Sequence, residues 1–101
     1  MLPKQKRLTR KDFTNLSRLQ TCITPYFDVK LSKQDGFKVA CIVIKKRFKK
    51  AVERNRVKRK VYSAIREGLI NKKGYFIFYP KKEIINASYQ DILNQIKKIS
   101  F

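Results

Sequence analysis

The order of hydrophobic and polar positions divides the chain into predicted elements in the order α-β-β-α-β-α. In residues 26–31, the apolar side chains of Phe27, Val29 and Leu31 alternate with more polar neighbours. A period of two is typical of a strand that buries one face and leaves the other open. Residues 26–31 are therefore predicted to form the first strand, with these three side chains on one face.

Two further strands are predicted by continuous apolar runs. Residues 37–44 are apolar at almost every position after Lys38. Such a run favours a central strand that is covered on both faces. Residues 75–79, with the sequence YFIFY, predict a last strand that Pro80 ends, because proline has no backbone N–H for a sheet ladder.

Helical spacing marks the segment before the first strand. Thr9 and Asp12 approximate a capping box, in which two side chains satisfy free backbone N–H groups at a helix start. The helix predicted from there runs to about residue 19, with Phe13 and Leu16 on its buried face. Residues 1–8 precede it as a basic arm.

A second helix is predicted from about residue 50 to residue 67, where Gly68 closes it as a C-cap. Its apolar residues converge on one side at 100° per residue. They are Val57, Val61, Ala64 and Ile65.

The last helix is predicted to open at Ser88 and Asp91. Its inward residues are predicted to be Tyr89, Ile92, Leu93, Ile96 and Ile99. A strand, a helix and a strand in succession indicate a βαβ unit. The fold class predicted is thus an α/β (α+β) two-layer sandwich, with residues 1–101 as a single domain.

Charge changes the picture of the second helix. Residues 45–60 contain ten Lys or Arg and a single acid, Glu53, and the whole chain has a formal net charge of +19. These cations repel one another unless a dense polyanion lies against them. A solvated charged face usually mixes both signs. A helix that buries one side and carries fixed cations on the other therefore predicts a nucleic-acid-binding surface.

The residues that usually carry enzyme chemistry are sparse. Histidine is absent, and the seven acidic residues are scattered through the chain without a paired-carboxylate spacing. A nuclease that holds its own metal ions needs a cluster of carboxylates. Cys22 and Cys41 have no metal-binding spacing, and Cys41 is predicted to be a small buried hydrophobe. We expect no catalytic residue and no metal held by this protein alone.

The second helix carries a recognisable motif. Its sequence AVERNRVKRKVYSAIRE resembles the protein component of bacterial ribonuclease P, whose hallmark is an R-N-R-hydrophobic-K-R run. Here that run, the RNRVKR motif, occupies residues 54–59. An upstream L-x-x-x-D-F, a Lys pair after an apolar strand, a late aromatic strand and a closing helix follow the family's order over about residues 6–99. Members often carry an Arg one turn after the motif, where this chain has Tyr62.

The resemblance implies a function and partners. In this family the RNA subunit removes the 5′ leader of precursor tRNA with bound Mg²⁺, and the protein binds both the RNA subunit and the leader. It implies one protein per ribonuclease P RNA and Mg²⁺ bound mainly by the RNA subunit. A cytoplasmic location and no membrane partner are expected from the sequence itself, because it has no apolar run long enough for a membrane-spanning helix or a signal peptide. It also implies that the βαβ crossover is left-handed, which is rare.

The resemblance also implies two sets of site residues. The residues expected to contact the RNA subunit are Lys45, Lys46, Arg47, Arg54, Asn55, Arg56, Lys58 and Arg59. Those expected to line a cleft for the single-stranded leader are Phe13, Phe27, Val29 and Leu31. Aromatic rings beside a basic surface can stack on bases. The alternative for the cleft residues is a place in the core, and the alternative for Asn55 is a hydrogen bond to the backbone of the first helical turn.

Two functions from other classes remain as alternatives from the sequence. The chain could be a basic RNA-binding protein of another kind, such as a ribosomal protein or an RNA chaperone, or a stand-alone nuclease. The RNRVKR motif favours the ribonuclease P protein over the former. The missing histidine and carboxylate cluster disfavour the latter.

Overall fold

The computed structural model describes residues 19–69 and 72–99. The basic arm and nearly all of the helix predicted over residues 9–19 lie outside the described residues. Leu19 is described, and it is exposed rather than buried as part of a helix.

The described elements form one sheet and two helices. The strands are β1 (Gln20–Ile23), β2 (Phe27–Ser32), β3 (Phe37–Cys41) and β4 (Gly74–Pro80), in the spatial order β1-β2-β4-β3. The helices are α1 (Ala51–Gly68) and α2 (Tyr89–Lys97), and a 3-10 turn spans Lys82–Asn86. The mixed α/β fold predicted from the sequence is confirmed.

The connection from β3 through α1 to β4 is the predicted βαβ unit. β3 and β4 pair in parallel, whereas β2 is antiparallel to both β1 and β4. The register places Val29 opposite Phe78 and Leu31 opposite Phe76, so these four side chains share one face of the sheet. The left-handed sense of the crossover stays a prediction.

Two predictions about the strands are wrong. β3 is an edge strand of the sheet rather than a central one, and it ends at Cys41, so residues 42–44 lead out of the sheet. Continuous apolarity did not reveal the place of the strand in the sheet: only Val39 and Cys41 of β3 are buried, and Ile42 just beyond it is 37% exposed. β1 was not predicted, because its side chains are mostly exposed and show no alternation.

The core lies between the inner face of the sheet and the two helices. Val57, Val61, Ala64 and Ile65 of α1 are buried there, as predicted, and so are Ile92, Leu93, Ile96 and Ile99 from the α2 end of the chain. The prediction that Tyr89 points inward is wrong: the residue is 36% exposed, and its hydroxyl donates a hydrogen bond to Glu67 at 2.6 Å.

Gly68 serves close helix packing rather than a C-cap. It is the last residue of α1, and a Cβ at this position would lie 3.0 Å from Ile96 Cγ2 and 3.3 Å from Leu93 Cδ1. The absence of a side chain lets α1 and α2 approach each other closely. The prediction of the helix end was correct within one residue, but the reason for the glycine was different.

Candidate nucleic-acid interface

The loop between β3 and α1 is fixed by one aromatic side chain. Phe48 stands in the middle of the basic sequence and is only 1% exposed. Its backbone N–H donates to the Ile44 carbonyl at 3.1 Å, which closes a turn over the loop. Lys45, Lys46 and Lys49 around it are exposed. Burial of the ring therefore holds these ammonium groups at the surface.

Two of the predicted RNA-contacting arginines make hydrogen bonds within the protein. One Arg54 Nη donates to the carbonyls of Phe48 and Lys49 at 2.9 and 3.0 Å, so this guanidinium ties the loop to the start of α1. Arg47 donates to the Pro80 carbonyl at 3.1 Å, which ties the same loop to the end of β4. Both side chains organise the basic surface, and their contact with RNA stays a prediction.

The other predicted residues of α1 are exposed. They are Asn55, Arg56, Lys58 and Arg59. Within the described part of the chain the Asn55 side chain forms no hydrogen bond, which leaves its amide open to a ligand rather than bound to the helix backbone. Arg56 and Arg59 are one turn apart on one face, and Lys58 lies on the opposite flank.

Lys58 lies towards β3, near the thiol of Cys41. Burial raises the pKa of Cys41 to about 12, and the Lys58 charge acts in the opposite direction. The sequence prediction that Cys41 is a buried apolar residue is confirmed, since its side chain is 8% exposed. The hydroxyl of Tyr62 accepts a hydrogen bond from the Cys41 backbone N–H at 3.2 Å.

Two recesses flank Arg59. One is an apolar groove of about 320 Å³ between α1 and the 3-10 turn, lined by Glu53, Arg56, Val57, Arg59, Lys60, Ile84 and Ile85. The other is a smaller recess of about 170 Å³ with a mixed polar and apolar lining, formed by Arg59, Tyr62, Ser63 and Arg66. Sequence reasoning did not select Ser63, Arg66 or the 3-10 turn. Arg66 is one turn beyond Tyr62, so it supplies a cation near the position where the family often has one.

The predicted leader-cleft residues of β2 are buried, which favours the alternative of a place in the core. Phe27 and Val29 are 0% exposed and Leu31 is 2% exposed, and all three pack in the core. The ring of Phe27 meets that of Phe78 edge-on at 5.3 Å. These side chains therefore took the alternative role of core residues. Phe13, the fourth predicted cleft residue, lies outside the described residues.

The opposite face of the sheet carries cations and tyrosines instead. The Lys30 ammonium lies 5.6 Å from the centre of the Tyr79 ring, and the Lys38 ammonium lies 5.8 Å from that of Tyr75. Both tyrosines are half-buried. Lysine over an aromatic face is a favourable contact, and each pair combines a flat ring with a positive charge. Ile77 and Ser32 on the same face are 2% and 1% exposed, so this face is partly covered, and the half-buried rings of Tyr75 and Tyr79 are its accessible aromatic surfaces.

Comparison with known proteins decides the family. The family model for ribonuclease P matches residues 2–100. The chain belongs to the ribonuclease P protein family. No curated protein matches its sequence significantly.

Solved structures of ribonuclease P proteins share the fold. The chain is 28% identical to the RNase P protein from Thermotoga maritima, with a TM-score of 0.74 over 94% of this chain and 98% of that one. It is 19% identical to the Staphylococcus aureus RNase P protein, with a TM-score of 0.72 over 91% of this chain and 89% of that one. A mutant of the S. aureus protein with defective mRNA degradation activity is 20% identical, with a TM-score of 0.75 over 93% of this chain and 84% of that one.

Two features of this ribonuclease P protein bear on its chemistry. Among residues 19–69 and 72–99, no three Asp, Glu, Cys or His side chains lie close enough together to hold a metal ion. Neither described helix combines the length and the apolar character needed to cross a membrane.

Proposed function

We propose that this chain is the protein subunit of a ribonuclease P ribonucleoprotein, which removes the 5′ leader of precursor tRNA by endonucleolytic cleavage. One observation carries the proposal: Arg56 and Arg59 are exposed side by side on a helix whose other side is locked to the sheet. Arginine forks bind phosphate groups with two parallel hydrogen bonds. A rigid helix that presents them suits the folded backbone of an RNA subunit, at one protein per RNA.

The outer face of the sheet supports a role in holding the leader. Bases of a single strand stack on aromatic rings, and cations nearby neutralise the phosphates between them. Lys30 with Tyr79 and Lys38 with Tyr75 provide both functions side by side. In this proposal the leader lies on that face, and the RNA subunit lies against α1 and the basic loop.

The hydrolysis itself is assigned to the RNA subunit, which also binds the Mg²⁺. The described residues offer no set of oxygen ligands for such an ion. The protein would act by neutralising phosphates and by positioning the leader, in the cytoplasm where tRNA precursors are made.

Reconstitution tests the proposed function. The purified chain is combined with its cognate ribonuclease P RNA and a 5′-labelled precursor tRNA at low Mg²⁺ concentration. We expect cleavage at the mature 5′ end when both components are present, and little with either alone. Cleavage by the protein alone, or none with both, contradicts the proposal.

Substitutions on the two surfaces are expected to weaken different interactions, the outer sheet face that with the leader and α1 that with the RNA subunit. Tyr79→Leu removes a stacking ring and should weaken precursor tRNA binding about 5- to 100-fold while leaving mature tRNA binding nearly unchanged.

Arg59→Ala should weaken assembly with the RNA subunit. It should also reduce the slope of log affinity against log salt concentration by about one, because one phosphate contact is lost. The measurement is the affinity of each reconstituted variant for precursor and mature tRNA at fixed salt. An equal loss for both tRNAs in Tyr79→Leu would show that this face does not bind the leader.

A further inference from the structure

Glu53 carries a negative charge on a surface that otherwise suits a polyanion. It is the single acid among ten cations in residues 45–60. No hydrogen bond or ion pair to its carboxylate is formed within the described residues, and the side chain is half-buried at the apolar groove. A carboxylate held near phosphates without a partner costs binding energy by repulsion. A ligand that binds here should therefore present a hydrogen-bond donor to the Glu53 carboxylate.

The groove beside Glu53 has the wrong surface for a phosphate. Val57 and Ile84 at its base are 4% and 1% exposed, and Ile85 at its edge is 40% exposed. Arg56, Arg59 and Lys60 border these apolar side chains. The Lys60 ammonium is already 3.4 Å from the Ala87 carbonyl, across the groove from α1. Cations at the border and hydrocarbon between them match a ligand with a charged backbone and a flat apolar part.

We propose that this groove binds one unpaired nucleobase that carries an exocyclic amino group, such as cytosine, from the ribonuclease P RNA. The base would lie against Val57, Ile84 and Ile85, and its amino group would donate to the Glu53 carboxylate. Acidic side chains accept hydrogen bonds from such amino groups in nucleic-acid complexes. Arg56 and Arg59 would bind the phosphates on either side. This inference rests on the proposed function, because it takes the RNA subunit as the partner.

A nucleotide fits the groove better than a protein segment. A helix with its side chains is about 10–12 Å across and needs a long apolar trough. A groove of about 320 Å³ between one helix and one 3-10 turn is short. The +19 charge of the chain also favours a polyanionic partner.

Replacement of Glu53 tests the proposal, because two interpretations of this residue predict opposite changes in RNA affinity. If Glu53 is only an acid near phosphates, Glu53→Ala removes repulsion and should tighten RNA binding. If it only stabilises the helix start, Glu53→Ala should lower the thermal midpoint of the free protein. If it accepts a hydrogen bond from a base, the same change should weaken binding about 10- to 150-fold, because a charge-assisted hydrogen bond is lost. Asp35→Ala is the control, since it removes one exposed acid outside the groove.

Ile85 tests the apolar part of the site. Ile85→Ala should weaken RNA binding about three- to tenfold without changing the slope of affinity against salt, because no phosphate contact is lost. Ile85→Leu should bind almost as the wild type does. Ile23→Ala is the control, since this isoleucine on β1 is 73% exposed and lines no part of the groove. Circular dichroism melts of each variant confirm that the fold is intact.

The measurement is the dissociation constant of each protein with ribonuclease P RNA at four salt concentrations. Weaker binding by both Glu53→Ala and Ile85→Ala at an unchanged slope supports the base site. Wild-type affinity in Ile85→Ala, or tighter binding in Glu53→Ala, overturns it, and the first outcome would also arise if the groove served a protein segment. Failure of the wild-type protein to bind or activate the RNA contradicts the proposed function instead, so the two failures are distinguishable.

Discussion

Phe48→Ala is expected to lower the free energy of unfolding by about 3–5 kcal/mol, which is the usual cost of deleting a buried phenyl ring. The ring is 1% exposed and belongs to the main core. Its loss would also release the loop that carries Lys45, Lys46 and Lys49. RNA affinity should therefore fall, although no RNA-contacting side chain is removed.

Urea denaturation at fixed salt measures the first effect, and titration with ribonuclease P RNA measures the second. Phe48→Leu retains most of the buried volume and should cost less, about 1–1.5 kcal/mol. Lys49→Ala is the control for the loop, because it removes an exposed charge and leaves the anchor in place. If Phe48→Ala lowers the free energy of unfolding by less than about 1 kcal/mol, the ring does not hold the loop in solution.

Millimolar sulfate is expected to raise the midpoint of thermal unfolding by about 10 °C or more. The chain carries +19 charges, and its densest cations lie on α1 and the preceding loop, which form one surface only when the protein is folded. Anions that bind the native state preferentially stabilise it by mass action, by about 2.7 kcal/mol at one hundred times the dissociation constant. For a domain of this size, each kcal/mol is worth about 4–8 °C.

Melts in sodium sulfate and in sodium chloride at equal ionic strength separate binding from simple screening. A larger increase in sulfate indicates anion sites on the folded protein, and Arg56→Ala should reduce it. Identical midpoints in both salts would contradict anion-linked stability, because screening alone depends on ionic strength.

The sequence was sufficient for most of the fold. α1 and α2 were found because Val57, Val61 and Ile65, and Ile92 and Ile96, repeat at helical spacing, and this periodicity was strong. β1 was missed because its stability comes from backbone pairing with β2 rather than from buried side chains. Sequence order also does not reveal spatial order, so β3 was placed at the centre of the sheet although β4 is there.

The site was predictable only in part, for geometric reasons. The alternation in β2 separated two faces correctly, but it did not indicate which face the helices cover. Lys30 and Tyr79, on the outer face, were therefore not selected, and Phe27 was. The motif located the cations of α1, yet Arg54 hydrogen-bonds the loop backbone, which charge alone does not reveal. The apolar groove depends on Ile84 and Ile85, about 25 residues from the motif, and only the folded chain brings them together.

The contrast between the two cysteines makes the protein suitable for site-specific spectroscopy. With a pKa of about 12 and a buried position, the Cys41 thiol stays protonated at neutral pH and is inert to thiol reagents, which attack through the thiolate. Cys22 lies half-buried on the edge strand β1, on the same face of the sheet as Val29 and at the margin of the core. A fluorophore or spin label added to the unmodified sequence should thus report from one strand, and distances from it to a labelled precursor tRNA would trace the path of the leader.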